Sequence, residues 1–276
     1  MEIKFTKMHG LGNDFVVIDG LGRTRGLTPD QVRRLADRRF GVGCDQVLLL
    51  EPPRQDGADV RYRIYNADGS EVAQCGNGAR CIAAYLHERR RIGKGEIMAE
   101  TAEGMLRLYR EEDGQWRVNM GVPRFAPSDI PVLHDLQGNT LRFPIDTGEI
   151  TLTALSIGNP HAVMKVPDVD AAPVESLGPL IQQSGLFPEG VNVGFMQVLD
   201  REHVRLRVYE RGAGETLACG SGACAAVVAG RLASSLDERV DVDLRGGHLL
   251  VSWQGEGEPV WLTGPAAFVF DGRMAL

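Results

Sequence analysis

The sequence predicts an α+β fold of two pseudo-symmetric domains, each a mostly antiparallel β-sheet or barrel wrapped around a central helix. Two observations lead to this prediction. One long motif occurs twice, and the apolar patterns give runs of strands with only two long helices in each half of the 276 residues. Alternating βαβ units would require about as many helices as strands, so a doubly wound parallel sheet is not expected.

The block at 65–79 returns at 209–223. The shared letters keep one register at an offset of 144, which pairs Tyr65 with Tyr209, Glu71 with Glu215 and Cys75 with Cys219. In both copies the cysteine precedes a Gly-x-Gly-Ala turn that continues into an Ala-rich helical stretch. The chain therefore carries two similar glycine turns, each with its own cysteine.

The repeat extends beyond the two cysteines. At an offset of 146, Gly12-Asn13 corresponds to Gly158-Asn159, and Gln46 corresponds to Asn192. Anchors that recur in the same order at nearly constant spacing indicate two copies of one supersecondary plan.

In the first half, apolar alternation predicts strands near 2–7, 14–19, 46–51 and 60–66. Thr28-Pro29-Asp30-Gln31 has the form of a capping box, with proline in the first turn of a helix that extends to about residue 38. A second helix is predicted from about 78 to 90. Strands follow near 96–101, 104–110 and 115–120.

The second half repeats the pattern. Strands are predicted near 150–157 and 161–166, a helix near 173–183, strands near 193–199 and 203–209, and a helix from about 221 to 233. Further strands are expected near 239–244, 248–253, 259–263 and 267–270. The loop-like segment 121–127 is the best internal boundary. We therefore expect an N-terminal domain over 1–121 and a C-terminal domain over 122–265.

Composition excludes several functional classes. A net charge of −7 argues against nucleic-acid binding, which needs a clustered excess of Lys and Arg. No apolar stretch approaches the ~20 residues of a membrane span, and the N-terminus lacks the pattern of a signal peptide. Five cysteines, an odd number with no Cys-x-x-Cys pair, predict neither a disulfide framework nor a metal site. We expect a cytoplasmic protein without a membrane partner.

The chemistry is expected at Cys75 and Cys219, because both lie in the duplicated turn. A thiol just before a helix lies near the positive end of the helix dipole, which lowers its pKa. The neighbouring glycines let bare N–H groups approach a carboxylate. The other cysteines lie in apolar or Ala-rich context and are predicted to belong to the core: Cys44, Cys81 and Cys224.

Two thiols at equivalent places in two similar halves can face each other across a cleft. One thiolate and one thiol then form a base and an acid on opposite sides of a carbon. Inversion of a stereocentre needs this arrangement, because a single base tends to return the proton to the face from which it came. Donors at the helix N-termini would stabilise the charge that develops during deprotonation, each contributing about 10²–10³ in rate.

The chain resembles the diaminopimelate epimerase family from end to end. The motifs that carry the resemblance are Lys7 to Phe15, Asn66 to Ser70, Cys75 to Arg80, Gly158 to His161 and Glu210 to Thr216. The resemblance implies interconversion of LL- and meso-2,6-diaminopimelate on the bacterial route to lysine and peptidoglycan, without pyridoxal phosphate, metal or other cofactor. It further implies that Cys219 removes the α-proton of the LL substrate and that Cys75 donates to the other face.

The same resemblance implies the remaining site residues. His161 and Glu210 would assist the thiols. Substrate contacts would come from Asn13, Gln46, Asn66, Gly76, Asn77, Asn159, Asn192, Glu210, Arg211, Gly220 and Ser221. The family also implies a homodimer and a last strand, 266–276, that returns to the first domain. Phe270 stands where the family often has tyrosine, so a subunit-contact hydroxyl is not expected here.

Two alternatives remain open on the residues alone. A proline or hydroxyproline epimerase would use the same two thiols, but it would not need Arg211 and the many Asn and Gln side chains. A redox or anion-binding module would use Cys75 and Cys219 as a switchable disulfide. Proton exchange at the α-carbon of an amino acid distinguishes the enzymes from the module.

Overall fold

The computed structural model describes residues 2–22, 26–72, 76–102, 104–133, 136–146 and 148–276. The chain divides into two compact units. Unit 1 comprises Met1–Asn119 and Thr263–Leu276, and unit 2 comprises Met120–Leu262. Each unit is described by itself. No helix among the described residues is both long and apolar enough to span a membrane.

Unit 1 contains strands and two helices in the order β1 (Glu2–Gly10), β2 (Asn13–Asp19), α1 (Pro29–Ala36), β3 (Gln46–Glu51), β4 (Val60–Asn66), β5 (Glu71–Val72), α2 (Gly76–Glu88), β6 (Glu96–Thr101), β7 (Gly104–Arg110) and β8 (Trp116–Asn119). The last strand of the chain, β18 (Ala267–Ala275), also lies in this unit. Its antiparallel partner is β1.

Unit 2 begins with β9 (Thr140–Ile145), β10 (Gly148–Ser156), β11 (Pro160–Lys165), α3 (Val174–Gln183), β12 (Asn192–Val198), β13 (His203–Glu210) and β14 (Gly214–Glu215). It continues with α4 (Gly220–Leu232), β15 (Arg239–Leu244) and β16 (Gly247–Ser252). Strand β17 (Trp261–Gly264) follows. Its first two residues belong to unit 2 and its last two belong to unit 1.

The two units share one strand topology. In unit 1, β2–β3 and β4–β6 are parallel, and the other pairs are antiparallel. In unit 2, β11–β12 and β13–β15 are the corresponding parallel pairs. The register agrees residue by residue, since Phe15 lies opposite Gln46 and His161 lies opposite Asn192. The α+β class with mostly antiparallel strands is confirmed, and the parallel pairs refine it.

Strand β9 is absent from the sequence prediction. It pairs with β10 as β18 pairs with β1, so unit 2 obtains this strand from the segment just before β10, whereas unit 1 obtains it from the C-terminal end of the chain. Pro144 lies within β9. Proline removes a backbone donor and is tolerated mainly on edge strands, which explains why the segment does not resemble a strand.

Each unit has a central helix. Helix α2 packs against β1, β2, β3, β7 and β8, and helix α4 packs against β10, β11, β12, β13 and β16. Most residues of both helices are buried, because Ala and Gly let surrounding strands approach closely. The predicted central helices are confirmed. Each begins at the glycine after the cysteine, one or two residues before the predicted start, so Gly76 and Gly220 belong to the first turns.

Helix α1 confirms the predicted capping box. The Gln31 N–H donates to Thr28 Oγ1 and the Thr28 N–H donates to Gln31 Oε1, at 3.3 and 3.0 Å. The helix ends at Ala36, earlier than predicted. The Asp37 carboxylate accepts the N–H groups of Arg39 and Phe40 at 2.7 and 2.8 Å, and this local turn replaces the next helical turn.

Candidate active site

Cys219 is the N-cap of α4 in unit 2. Its backbone is extended, and its Sγ accepts the Gly222 N–H at 3.4 Å. A Cβ on Gly222 would lie 3.2 Å from that Sγ, so glycine leaves room for the cap. The first-turn N–H groups have no acceptor within the helix, which makes Gly220 and Ser221 suitable donors to a carboxylate.

The Cys219 side chain is buried and lies beside a carboxylate. Burial raises the pKa of the Cys219 thiol well above its ordinary value, and the charge and hydrogen bond of Glu210 raise it further. The hydrogen bonds from Ser221 and Gly222 lower it by less. The expectation of a lowered thiol pKa is therefore wrong for Cys219, because desolvation and the neighbouring charge outweigh the helix N-terminus.

Glu210 lies at the end of β13, and it is the nearest candidate to receive the Cys219 proton. The Thr216 hydroxyl donates to Glu210 Oε1 at 2.5 Å. This hydrogen bond orients one carboxylate oxygen. The thiol and the carboxylate thus lie in contact within unit 2.

His161 is 1% exposed, and its Nε2 lies 3.0 Å from Asn159 Oδ1. Burial, together with the charge of Arg211, lowers the pKa of His161 to about 3. The imidazole is therefore neutral at pH 7. The Asn159 amide N–H donates to Ser221 Oγ at 3.3 Å, so these side chains connect β11 to the first turn of α4.

Asn192 is 3% exposed and links the start of β11 to the turn after β13. Its Oδ1 accepts the Arg211 N–H at 2.9 Å, and its Nδ2 donates to the Pro160 carbonyl at 3.2 Å. The exposed Arg211 guanidinium donates to the Glu189 carbonyl at 2.7 Å. Gly190 adopts a φ of +75°, and a Cβ there would lie 2.7 Å from Arg211 Cδ. The glycine therefore makes room for the arginine.

In unit 1, a tight turn delivers Asn13 to the start of β2. Leu11 and Gly12 have φ values of 56° and 89°, as a two-residue I′ hairpin turn requires, and Gly10 pairs with Asn13. The Asn77 Nδ2 donates to Asn13 Oδ1 at 3.3 Å. This contact in unit 1 corresponds in register to the Asn159–Ser221 contact in unit 2.

Gln46 offers an acceptor in unit 1. Its Nε2 donates to Asn66 Oδ1 at 3.0 Å, and Asn66 Nδ2 donates to Ser70 Oγ at 3.3 Å. The Gln46 Oε1 is buried and accepts no hydrogen bond from any residue that the structure describes. Leaving a buried acceptor unsatisfied is costly, so a donor such as an ammonium group suits this position.

These half-sites, built on one duplicated plan, agree with the sequence comparisons. The diaminopimelate epimerase family model matches residues 5–126 and 153–269. The chain belongs to the diaminopimelate epimerase family. It is thus an amino-acid epimerase by family, and the predicted resemblance is confirmed.

Relatives that carry the family name match over the whole chain. The protein named diaminopimelate epimerase from Chromobacterium violaceum is 55% identical over 276 residues, which cover 100% of both chains. The protein of the same name from Thioalkalivibrio sulfidiphilus is 56% identical over 276 residues and 99% of both chains. These identities far exceed those of the solved structures.

Two solved structures share the fold. A hydroxyproline epimerase from Agrobacterium vitis has a TM-score of 0.73 at 21% identity and covers 100% of this chain and 93% of its own. A phenazine biosynthesis protein of the PhzF family from Bacillus anthracis has a TM-score of 0.67 at 18% identity, with 100% of both chains covered. At these identities the likeness concerns the fold alone.

Within this family fold, the implied site residues lie in two groups. Unit 2 brings together Asn159, His161, Asn192, Glu210, Arg211, Cys219, Gly220 and Ser221. Unit 1 holds Asn13, Gln46, Asn66, Gly76 and Asn77. Cys75 lies outside the described residues. Cys44, Cys81 and Cys224 are buried, as predicted for core cysteines, and burial raises the pKa of Cys44 to about 12.

Three polar side chains at these sites escaped the sequence prediction. Thr216 contacts Glu210, Asp45 contacts Asn13, and Arg80 contacts Asn77. Each lies next to a predicted site residue in the sequence or within a motif that carries the family resemblance. The other copy has Val72, Val191 and Cys224 at the corresponding positions, so the repeat gives no signal for these three residues.

Proposed function

We propose that the chain interconverts LL- and meso-2,6-diaminopimelate by a two-base reaction of Cys219 and Cys75, without a cofactor, on the bacterial route to lysine and peptidoglycan. Membership of the family supports the substrate. The observation that carries the mechanism is the Cys219 thiol, which caps α4 beside the Glu210 carboxylate. The same cysteine–glycine turn recurs in the sequence at Cys75.

The proposed steps balance in protons. Glu210 accepts the Cys219 proton, since it is the carboxylate that the buried thiol contacts. The thiolate then removes the α-proton. N–H groups of Gly220 and Ser221 are proposed to hold the substrate carboxylate as negative charge spreads onto it. Cys75 donates its thiol proton to the opposite face. After the product leaves, the Cys75 thiolate takes up a proton from solvent and Glu210 releases the proton it accepted, so each turnover returns both groups to their starting protonation states. In the reverse reaction the two thiols exchange roles.

Neutral His161 fits a supporting role. Its Nε2 contacts Asn159, which in turn contacts Ser221. Among the predicted site residues of unit 2, Glu210 is the acidic side chain and Arg211 is the basic side chain other than the neutral His161. These opposite charges suit the ammonium and carboxylate of an amino acid. We propose that the Asn, Gln and Arg side chains of both units read the two amino-acid ends of the substrate.

Exchange in D₂O tests this function. Purified protein incubated with LL-diaminopimelate, without added cofactor, is expected to form the meso isomer with deuterium at the α-carbon. Exchange of L-proline instead would favour a proline-type epimerase. Exchange of neither amino acid would overturn the enzymatic proposal.

Single substitutions test the two bases. Cys75→Ala and Cys219→Ala are each expected to reduce epimerisation by about 10²–10⁴-fold, because either change removes proton transfer on one face. Cys224→Ala is the control, since this cysteine is buried in the same helix as Gly220 and Ser221. A Cys75→Ala or Cys219→Ala variant with most of its kcat would contradict the two-base scheme.

We also propose a cytoplasmic homodimer. The biosynthetic role supports the cytoplasm, where the amino-acid substrate would be found. The exposed apolar side chains of β18 support assembly: Phe268, Val269 and Phe270 are 39%, 54% and 49% exposed. An edge strand with such side chains is a ready surface for association with a second copy.

A further inference from the structure

Five side chains of unit 2 form a hydrogen-bonded series, here called the donor chain: His161, Asn159, Ser221, Cys219 and Glu210. His161 Nε2 lies 3.0 Å from Asn159 Oδ1, and Asn159 Nδ2 lies 3.3 Å from Ser221 Oγ. Ser221 Oγ lies 3.6 Å from Cys219 Sγ, and the thiol in turn contacts the Glu210 carboxylate. The series therefore connects an imidazole at one end to a carboxylate at the other.

The carboxylate determines the direction of the donor chain. An ionised carboxylate only accepts hydrogen bonds, so the Cys219 S–H donates to Glu210. The sulfur then presents a lone pair to Ser221, and the hydroxyl donates its single hydrogen to the sulfur. Because that hydrogen is used, Ser221 Oγ accepts from Asn159, whose Nδ2 is the donor.

The same direction determines the tautomer of His161. Asn159 presents its Oδ1 to the ring, and an amide oxygen only accepts hydrogen bonds. Burial, together with the charge of Arg211, lowers the pKa of His161 to about 3, so the ring is neutral and carries one N–H. That hydrogen is therefore on Nε2.

Two donors converge on the Cys219 sulfur. One is the Ser221 hydroxyl, and the other is the Gly222 N–H at 3.4 Å. Cys219 is 4% exposed, so bulk water has little access to the sulfur. Once Glu210 takes the thiol proton, both donors still face the sulfur anion, and hydrogen bonds donated to a charged group stabilise that form.

The two copies of the repeat differ at both ends of the donor chain. In register, unit 1 has Phe15 in place of His161 and Asn66 in place of Glu210. A phenyl ring has no hydrogen bond to donate, and an amide does not replace an ionised carboxylate as a proton acceptor. The duplicated sequence therefore provides the two ends of the donor chain in unit 2.

We propose that the Ser221 hydroxyl donates a hydrogen bond to the reacting sulfur of Cys219, and that Asn159 and the Nε2–H tautomer of His161 are positioning groups that orient it. This inference rests on the proposed function, since the Cys219 thiolate is a base of that reaction. It gives the Ser221 side chain a role separate from that of its backbone N–H, which is proposed to hold the substrate carboxylate.

Ser221→Ala removes the hydroxyl and keeps the backbone N–H. We expect alkylation of Cys219 by iodoacetamide at about pH 8 to slow about 3–10-fold, because the thiolate loses a donor. Alanine is smaller than serine, so restricted access to the sulfur does not explain a slower reaction. Ser221→Thr keeps a hydroxyl and is expected to react within about twofold of the wild type.

The control is Ser176→Ala, the same chemical change at the start of α3. The Ser176 hydroxyl donates to the Pro173 carbonyl at 3.2 Å, away from the donor chain in its bonding. Alkylation of Cys219 in this variant is expected to match the wild type. Thermal unfolding of every variant checks that it is folded.

A double variant tests whether Asn159 acts through Ser221. Asn159→Ala alone is expected to slow alkylation of Cys219 by about 2–5-fold, since the hydroxyl loses the group that orients it. The Asn159→Ala/Ser221→Ala double variant is expected to react at the rate of Ser221→Ala, because the two changes break one series. Independent, multiplied effects would overturn the positioning role of Asn159.

Nitrogen chemical shifts test the tautomer of His161 directly. A long-range ¹⁵N–¹H correlation spectrum at about pH 7, assigned through the backbone, is expected to show the proton on Nε2. A proton on Nδ1 would overturn the direction of the donor chain.

Turnover separates this inference from the proposed function. In Ser221→Ala we expect kcat for LL-diaminopimelate to fall about 3–10-fold with KM within about twofold, because the backbone N–H remains. A wild type that does not turn over LL-diaminopimelate would overturn the proposed function, while the alkylation rates and the tautomer, measured without substrate, still decide the donor chain. Alkylation of Ser221→Ala at the wild-type rate would overturn this inference alone.

Discussion

Cys219 differs from an isolated thiol at a helix N-terminus. The cap and the first-turn donors favour the thiolate, while burial and the Glu210 charge favour the thiol. Burial and the Glu210 charge outweigh the donors, so the pKa of the Cys219 thiol is raised. A protonated thiol is less prone to alkylation and oxidation than a thiolate.

The Glu210→Gln variant should change thiol reactivity and catalysis in opposite directions. Loss of the charge lowers the Cys219 pKa, and thiolate rises tenfold for each pKa unit recovered. We expect alkylation of Cys219 by iodoacetamide at about pH 8 to accelerate by about 3–10-fold, while epimerisation falls because the proton acceptor is lost. Peptide mass spectrometry measures alkylation at Cys219 separately from the buried Cys81 and Cys224.

Thr216→Val is the matched control for thiol reactivity. It removes the hydroxyl that contacts Glu210 but keeps the charge. Its alkylation rate should remain near that of the wild type. Unchanged or slower alkylation in Glu210→Gln would show that the carboxylate does not raise the thiol pKa.

The register of the two copies predicts which asparagines lie beside the first turns of the central helices. Asn13 and Asn159 were found through their common register, and Cys219 through the duplicated turn. The direction of the Cys219 pKa was not predictable, because burial and the position of Glu210 depend on how β13 and α4 pack. Asp45 and Arg80 were missed because their counterparts are Val191 and Cys224.

The hairpins that precede the two central helices each contain the same arginine–glutamate ion pair. Arg63 makes a bidentate pair with Glu71 at 2.8 and 2.6 Å, which joins β4 to β5. Arg207 makes the same pair with Glu215 at 2.6 and 2.8 Å, which joins β13 to β14. This repeated ion pair gives a physical reason for the duplicated glutamate in the sequence.

Glu215→Gln is expected to destabilise the protein more than Glu71→Gln. Glu215 is 7% exposed and Glu71 is 35% exposed, so the first change leaves an arginine unpaired in a drier environment. We expect losses of about 2–4 and about 0.5–1 kcal/mol in the free energy of unfolding, measured with urea. Glu149→Gln, at an exposed pair with Arg142, is the control and should cost less than about 0.5 kcal/mol.

The pH dependence of the Glu215 effect has a defined sign. The hydrogen bond and charge of Arg207 lower the pKa of Glu215 below its ordinary 4.5. Its stabilisation is complete above that pH and is lost as acid protonates the carboxylate in the folded state. The difference in the free energy of unfolding between the wild type and Glu215→Gln should therefore become smaller below about pH 4. A gap of constant size there would contradict the ion-pair explanation.

Strand prediction succeeded where apolar alternation is regular and failed where it is broken. Strands β3, β4, β6 and β7 have the predicted bounds. Strand β9 was missed because of Pro144, and the two-residue strands β5 and β14 are too short to show a period. Pairing across long sequence separations, such as β1 with β18, leaves no local pattern in the sequence.

The last strand gives the whole chain an asymmetry that the repeat lacks. Strand β18 adds to β1 of unit 1, while β9 fills the corresponding place in unit 2. Phe270 contacts Phe5 at a ring-centroid distance of 5.9 Å, yet half of its surface is exposed. Val269 is 54% exposed. A second copy that covers this strand would bury apolar surface and stabilise the assembly.

Val269→Lys should therefore convert the proposed dimer into a monomer. A buried ammonium at a subunit contact costs several kcal/mol, which would weaken the association of two copies through this strand. Sedimentation velocity at low micromolar protein measures the mass. Leu199→Lys is the matched control, because Leu199 is 51% exposed and lies at the turn after β12 in unit 2. Its mass should remain that of the wild type. A monomeric wild type, or a Val269→Lys variant that stays dimeric, would show that β18 is not a subunit contact.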